Sequence, residues 1–159
     1  MNSSNDDHAE RLQKAKDYAL RYISYRPRTV WEVDKKLTDK GYDHQIIALT
    51  IKFLKEYCFL DDLEFARFWI GNRQKVKPCG SRRIYCELVQ KGVAKSIIDT
   101  CLGEITPEQE EEAAAALVEK KCQRAPFDYN KIRGFLLRRG YTPSVVNNIL
   151  AKYAKSLLE

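Results

Sequence analysis

The stretch Pro78-Cys79-Gly80-Ser81-Arg82-Arg83-Ile84-Tyr85-Cys86-Glu87-Leu88-Val89-Gln90-Lys91-Gly92 opens on a proline and closes on a glycine fourteen residues later. The same frame recurs from Pro27 to Gly41 and from Pro126 to Gly140, with offsets of 51 and 48 residues between copies. Val33, Ile84 and Ile132 stand eight residues before the glycine, Leu37, Leu88 and Leu136 four before, and Lys40, Lys91 and Arg139 directly before. After it come Ile46, Ile97 and Val145, then Ile47, Ile98 and Val146, then Ile51, Leu102 and Leu150. Steps of four and five residues keep apolar side chains on one helix face and break the two-residue alternation of a strand. A recurrence of this length marks one supersecondary unit used three times, with each glycine separating two helices.

Each copy therefore predicts a long helix A, a proline-marked elbow, a shorter helix B, a tight turn and a helix C. Helix A is expected at about 9–24, 62–76 and 107–123, helix B at about 29–40, 81–91 and 128–139, and helix C at about 43–56, 94–103 and 142–157. Thr29 with Glu32, Asp61 with Glu64 and Thr106 with Gln109 each set an N-cap oxygen three residues before a carboxylate or amide. Pro107 and Pro143 fall at first helical positions, where a missing N–H costs nothing. The glycine after helix B can take the left-handed conformation that closes a last turn, and Lys40, Lys91 or Arg139 then meets the negative end of the dipole. The expected fold class is all-α: an elongated, curved array of three tandem three-helix repeats at 9–58, 59–105 and 106–159, behind a flexible tail at 1–8. A unit of fifty residues buries only about 60% of its unfolded surface, against about 70% for a body near 150, so the repeats should lean on one another.

Composition excludes several classes. The five cysteines, Cys58, Cys79, Cys86, Cys101 and Cys122, are scattered without a CxxC pair, which fits a reducing cytoplasm better than a disulfide framework. No apolar run reaches the length of a membrane span, and the polar start has no secretory pattern. His8 and His44 lack metal-ligand spacing, and the seven glycines are too dispersed for a phosphate-cradling loop, so no metal, cofactor or catalytic centre is expected. Glu108, Glu110, Glu111 and Glu112 stand in the first turn of a helix, where the dipole favours acid.

Charge is the sharper functional signal. The formal net charge is +6, and it is uneven: eight basic residues against Glu87 alone between Arg67 and Lys95, and seven against Asp128 alone between Lys120 and Arg139. The first copy has six against three between Arg21 and Lys40. The excess falls from the end of helix A through the elbow into helix B, so stacked repeats could align it into a stripe that attracts polyanions. Dipole compensation accounts for Arg73, Lys75, Lys120 and Lys121 at helix ends, but not for Arg82 and Arg83 in a first turn. Phe65, Phe68 and Trp69 read as core more readily than as a base-stacking platform, whereas Trp31, Tyr42 and Tyr141 flank helix ends near the basic elbow and stay open. Gly71 inside a helix suggests a bend or a close approach.

Arg26, Pro27 and Thr29, then Leu60, Asp61, Asp62, Phe65 and Ala66, then Lys77, Pro78, Gly80, Arg82, Arg83, Ile84, Leu88, Lys91, Gly92 and Val93 resemble the RecX family. The similarity runs from about Leu12 to Tyr153 and is most specific in the middle repeat. The acidic opening of the third helix A and Phe68 to Gly71 are individual to this chain. The resemblance implies a monomeric, non-catalytic regulator of the bacterial recombinase RecA. Such a protein lies in the groove of the RecA filament on DNA, inhibits its recombinase and ATPase activity or promotes disassembly, and acts in homologous recombination, DNA repair and the SOS response. Free single-stranded and duplex DNA would bind weakly. Arg67, Arg73, Lys77, Arg82, Arg83 and Lys91 are expected to touch DNA phosphate or acidic filament surface, with Lys35, Lys36, Arg133, Arg138 and Arg139 as a secondary set. A duplex-binding transcription regulator of helix-turn-helix type is the alternative. Asp43-His44-Gln45 and Thr142-Pro143-Ser144 at the helix C starts argue against it, because a recognition helix presents base-reading side chains there.

Overall fold

The structure is a computed structural model that describes residues 3–156. Among the described residues there are nine α-helices and no strand: α1 (Ser3–Ser24), α2 (Val30–Asp39), α3 (His44–Glu56), α4 (Asp62–Lys75), α5 (Ser81–Gln90), α6 (Lys95–Gly103), α7 (Pro107–Cys122), α8 (Tyr129–Arg138) and α9 (Pro143–Ser156). They run in the predicted order A, B, C three times. The main departure is α1, which is helical from Ser3 where the sequence reading places a tail over 1–8. Asp6 sits in its first turn and meets the positive end of the dipole, which favours the earlier start. Residues 1 and 2 of that expected tail lie outside the described residues. No described helix is long and apolar enough to cross a membrane.

Compactness divides the chain differently from its repeats. One unit comprises Met1–Phe65 with Lys91–Ala94, the other Ala66–Gln90 with Lys95–Glu159, so the second repeat contributes to both. The core of the first unit gathers Ala15 and Ala19 of α1, Val33 and Leu37 of α2, and Ile46, Ile47 and Leu54 of α3. A core cluster of the second gathers Ala114 and Val118 of α7, Ile132 and Leu136 of α8, and Val145, Val146, Ile149 and Leu150 of α9, with Tyr141 between. The two apolar columns before the glycine are buried as expected. The last column after it holds only in the third copy, where Leu150 is buried beside Ile149; in the first two it is displaced by one residue, Thr50 and Cys101 being buried while Ile51 and Leu102 are only half-buried. Thr50 tolerates this place because its hydroxyl donates to the Ile46 carbonyl at 2.8 Å.

The helix starts explain how consecutive repeats are joined. In the first unit, Thr29 Oγ1 accepts from Glu32 N–H at 3.2 Å and Glu32 Oε2 accepts from Thr29 N–H at 3.0 Å, a complete capping box. The next donor, Val30 N–H, is taken at 2.9 Å by Asp62 Oδ1 from the start of α4, and the Thr29 hydroxyl donates at 2.6 Å to the Lys91 carbonyl. In the second unit, Ser81 N–H donates to Glu110 Oε1 of α7 at 2.8 Å, Gly80 N–H to the Arg139 carbonyl at 2.9 Å, and Arg82 N–H to the Gly140 carbonyl at 3.1 Å. The same joint is thus made twice. The N-terminus of a helix B receives a carboxylate from the following helix A and docks on the following B–C turn.

That joint gives the glycines a second constraint. Gly41, Gly92 and Gly140 all have positive φ, at 84°, 75° and 87°, as the turn requires. Gly41 has nothing within 4 Å of where a Cβ would stand, whereas a Cβ on Gly92 would strike Trp31 and one on Gly140 would strike the backbone of Arg83. Gly71 likewise meets nothing within 4 Å, and α4 continues through it, so no close approach within the chain accounts for it.

Glu32 is the electrostatic centre of the first joint. Its Oε1 lies 2.8 Å from Arg26, 3.7 Å from Lys91 and 3.9 Å from Arg28. Burial alone would push its carboxyl up, but the hydrogen bonds from Arg26 and the Thr29 N–H, together with the Lys91 charge, outweigh it and hold the group below its ordinary value of 4.5.

Two outcomes follow for stability. Gly41→Ala should cost about 1 kcal/mol, the price of a left-handed alanine, and Gly140→Ala at least ~2 kcal/mol more, because backbone must also shift. Gly71→Ala should instead stabilise by about 1 kcal/mol. Equal losses at Gly41 and Gly140 in denaturant titrations would contradict the joint. A carboxyl with a lowered folded pKa contributes stability that is full above its unfolded value and lost as pH falls through the folded one. The margin of wild type over Glu32→Gln should therefore hold from about pH 7 to pH 5.5 and shrink below about pH 4.5. A margin indifferent to pH would remove charge from the account.

Candidate functional site

Within the second unit, the chain leaves α4 at Lys75 and reaches Pro78, which has no N–H to continue a helix. Gly80 N–H then ties the elbow to the end of α8 through the Arg139 carbonyl, and the Arg139 guanidinium returns a bond to the Pro78 carbonyl at 3.1 Å. The C-terminal part of α7 supplies the facing wall with Leu117 and, in its last turn, Lys120 and Lys121. Between them lies a hollow of about 420 Å³ lined by five cations, Lys77, Lys120, Lys121, Arg124 and Arg139, and by no carboxylate. Phe135 lies beneath two of these charges, with Lys121 Nζ 4.8 Å and the Arg139 guanidinium 5.3 Å from its ring centroid. An adjoining hollow of about 320 Å³ shares Lys121 and Ala125 and extends to Lys131 and Asp128. Asp128 is engaged as the N-cap of α8, accepting from Lys131 N–H at 3.0 Å. The result is a continuous basic groove with apolar patches, suited to a polyanion.

The residues singled out from sequence divide into four groups. Only Lys77 and Arg139 line the groove. Arg67, Arg73, Arg83 and Lys91 are in internal ion pairs, with Glu104 at 2.7 Å, Glu87 at 2.8 Å, Glu87 at 3.2 Å and Glu32 at 3.7 Å respectively. Glu87 also accepts the Trp69 indole N–H at 2.9 Å, and Arg73 lies over that indole at 5.1 Å. Burial would raise the Glu87 carboxyl, but the bonds from Trp69, Arg73 and Arg83 outweigh it, and its pKa is lowered. Arg73, with a side chain 23% exposed, is therefore held as part of the scaffold. Arg83 and Arg67 remain about half exposed and keep outward surface despite their partners. Arg82, Arg133 and Arg138 are exposed and have no carboxylate within 4.0 Å among the described residues. Lys35 and Lys36 lie over the rings of Trp31 and Tyr22, at 5.1 and 5.6 Å.

Sequence reasoning missed Lys120, Lys121 and Arg124. The first two sit in a helix's last turn, where dipole compensation accounts for them fully, and nothing local says that this turn faces the preceding repeat's elbow. The surplus of seven cations over one acid between Lys120 and Arg139 was the available signal. Two members of the acidic cluster are engaged within the fold: Glu110 caps α5, and Glu111 accepts from Asn148 at 2.8 Å and Lys152 at 2.7 Å.

Three family models match this chain in order: the RecX first three-helix domain over residues 15–54, the second over 61–102 and the third over 108–150. Among curated proteins, the regulatory protein RecX of Clostridium botulinum strain Eklund 17B is 37% identical over 144 residues, covering 86% of this chain and 67% of that protein. The regulatory protein RecX of a Mycobacterium species, strain JLS, is 31% identical over 154 residues, covering 91% and 84%. Of solved structures, RecX from Lactobacillus salivarius superposes with a TM-score of 0.85 at 26% identity, over 91% of this chain and 97% of that one. A second, regulatory protein RecX, gives 0.80 at 27% identity, over 92% and 74%. Matched domain by domain across nearly its whole length, in sequence and in fold, the chain belongs to the RecX family of regulatory proteins.

Proposed function

We propose that this protein binds the RecA filament on DNA, lies in the filament groove and inhibits recombinase and ATPase activity, acting as a negative modulator of homologous recombination and DNA repair. The observation that carries the reading is the acid-free hollow of Lys77, Lys120, Lys121, Arg124 and Arg139 within the basic groove, in a family whose members are regulatory proteins. A surface of this kind supplies charge without positioned acids, bases or nucleophiles, so its effect on a recombinase comes from occupancy and not from chemistry. Lys77, Lys120, Lys121 and Arg124 contact phosphate or acidic filament surface in this reading. Arg82, Arg133 and Arg138 add exposed charge, while Arg67 and Arg83 keep one side for a partner. Arg73 and Lys91 hold their own fold together. The protein works as a cytoplasmic monomer without a cofactor.

Purified protein should inhibit the DNA-dependent ATPase of RecA and co-sediment with its filaments at concentrations near that of the recombinase. Neutralising about five phosphates gives a log affinity against log salt slope near −3.5 on single strands and −4.5 on duplex. The triple change Lys120→Gln, Lys121→Gln, Arg124→Gln should weaken inhibition and reduce the duplex slope by about 1 for each phosphate contact removed, with helicity unchanged. No inhibition and no co-sedimentation would overturn the proposal. Sequence-specific duplex binding against competitor DNA would favour a transcription regulator instead.

A further inference from the structure

A second hollow of about 260 Å³, in the first unit, is lined by Tyr22 of α1 and by Trp31, Glu32, Lys35, Lys36 and Asp39 of α2. Trp31 divides into a structural half and an unused one. Its stem presses on Gly92, where any Cβ would collide with Trp31 Cβ, Cγ and Cδ2, so the root of the indole is fixed by the joint. Trp31 as a whole is nonetheless 46% exposed in a first helical turn. Core packing therefore explains where Trp31 is anchored, but not why so large a π-face reaches solvent.

The surroundings indicate what would cover it. Lys35 Nζ stands 5.1 Å from the Trp31 ring, and Tyr22 has Arg28 at 4.0 Å and Lys36 at 5.6 Å. Glu32 is engaged by Arg26, Arg28 and Lys91, three cations for one carboxylate. Asp34, Asp39 and Asp62 also stand nearby, but among the described residues neither Lys35 nor Lys36 has a carboxylate within 4.0 Å, so both ammonium groups are uncommitted beside the indole. A ligand complementary to both features has a flat π-face for the indole and anionic groups on either side for the lysines. An unpaired nucleotide has this form: base on aromatic ring, flanking phosphates on cations. Duplex DNA keeps its base faces stacked inside, and an acidic peptide would satisfy the cations while leaving the indole uncovered.

We propose that Trp31 stacks an unpaired base of single-stranded DNA, with Lys35 leaving the ring face for a neighbouring phosphate and Lys36 holding the next. The inference deepens the reading of this protein as one that works on a DNA filament, and rests on it for the choice of strand. Its test needs no recombinase, so the two can fail separately. The full chain has only two tryptophans, Trp31 and Trp69, and the Trp69 N–H is bonded to Glu87 at 2.9 Å, so fluorescence separates them.

Titration with an oligothymidylate of about twenty nucleotides, a length that exceeds one aromatic-lined site, should quench emission. An abasic oligonucleotide of equal length should bind about ten-fold more weakly and leave emission unchanged, because one base stack is lost. Trp31→Phe keeps a ring against Gly92 and should abolish the quenching. Lys35→Gln should weaken both oligonucleotides alike. Equal affinity for the abasic strand without quenching would reduce the site to a phosphate contact and overturn the proposal. Quenching that survives in Trp31→Phe, or that polyglutamate reproduces, would overturn it as well.

Discussion

A helix cannot satisfy the first N–H groups of its own backbone, and leaving one buried without a partner costs about 1–3 kcal/mol. Most helices close this gap locally, and α2 does so in part through Thr29 and Glu32. What remains is closed by the following repeat: Asp62 for Val30, Glu110 for Ser81, and turn carbonyls at Lys91, Arg139 and Gly140 for the adjoining groups. The requirement explains why Thr29 is fully buried although polar, and why Gly92 and Gly140 admit no side chain while Gly41 has room for one. It also places an acidic residue at the start of α4 and of α7 for reasons that have nothing to do with catalysis.

The same economy of acids governs the surface. Glu32 engages three cations and Glu87 two cations and an indole, so a few carboxylates serve as anchors for many positive side chains. Anchoring orders cations without cancelling them, because each anchor contributes one negative charge. Where no anchor is present, between the α4–α5 elbow and the last turn of α7, the positive side chains face a shared hollow, and Phe135 steadies two of them through its π-face. Charge in this protein is therefore of two kinds, some built into the joints and some left outward.

Much of this was legible in the residues. Helix order, the capping boxes at Thr29 and Thr106, and the left-handed glycines followed from spacing and from local backbone chemistry, which act over a few residues. Pairings between residues far apart in the chain were not legible. Thr29 reaches across 62 residues to Lys91 and Arg139 across 61 to Pro78, and no periodicity encodes such a partner. For that reason Arg73 and Lys91 read as outward charge when they are clamped, and Lys120 and Lys121 read as dipole compensation when they border the groove. Thr50 and Cys101 were passed over because hydropathy cannot register a hydroxyl satisfied by the Ile46 carbonyl, nor distinguish a core thiol from a surface one.

The long reach of the Thr29 hydroxyl also sets an order of events during synthesis. Chains grow at roughly 5–20 residues per second, and the first three helices can collapse on their own apolar faces as they leave the ribosome. The acceptor for Thr29, however, belongs to a residue made 62 positions later. The start of α2 therefore stays incomplete for some seconds, with its polar groups in water, and locks only when the turn at Lys91 arrives. The first and second modules are each completed by their successor, so their maturation lags translation by one repeat.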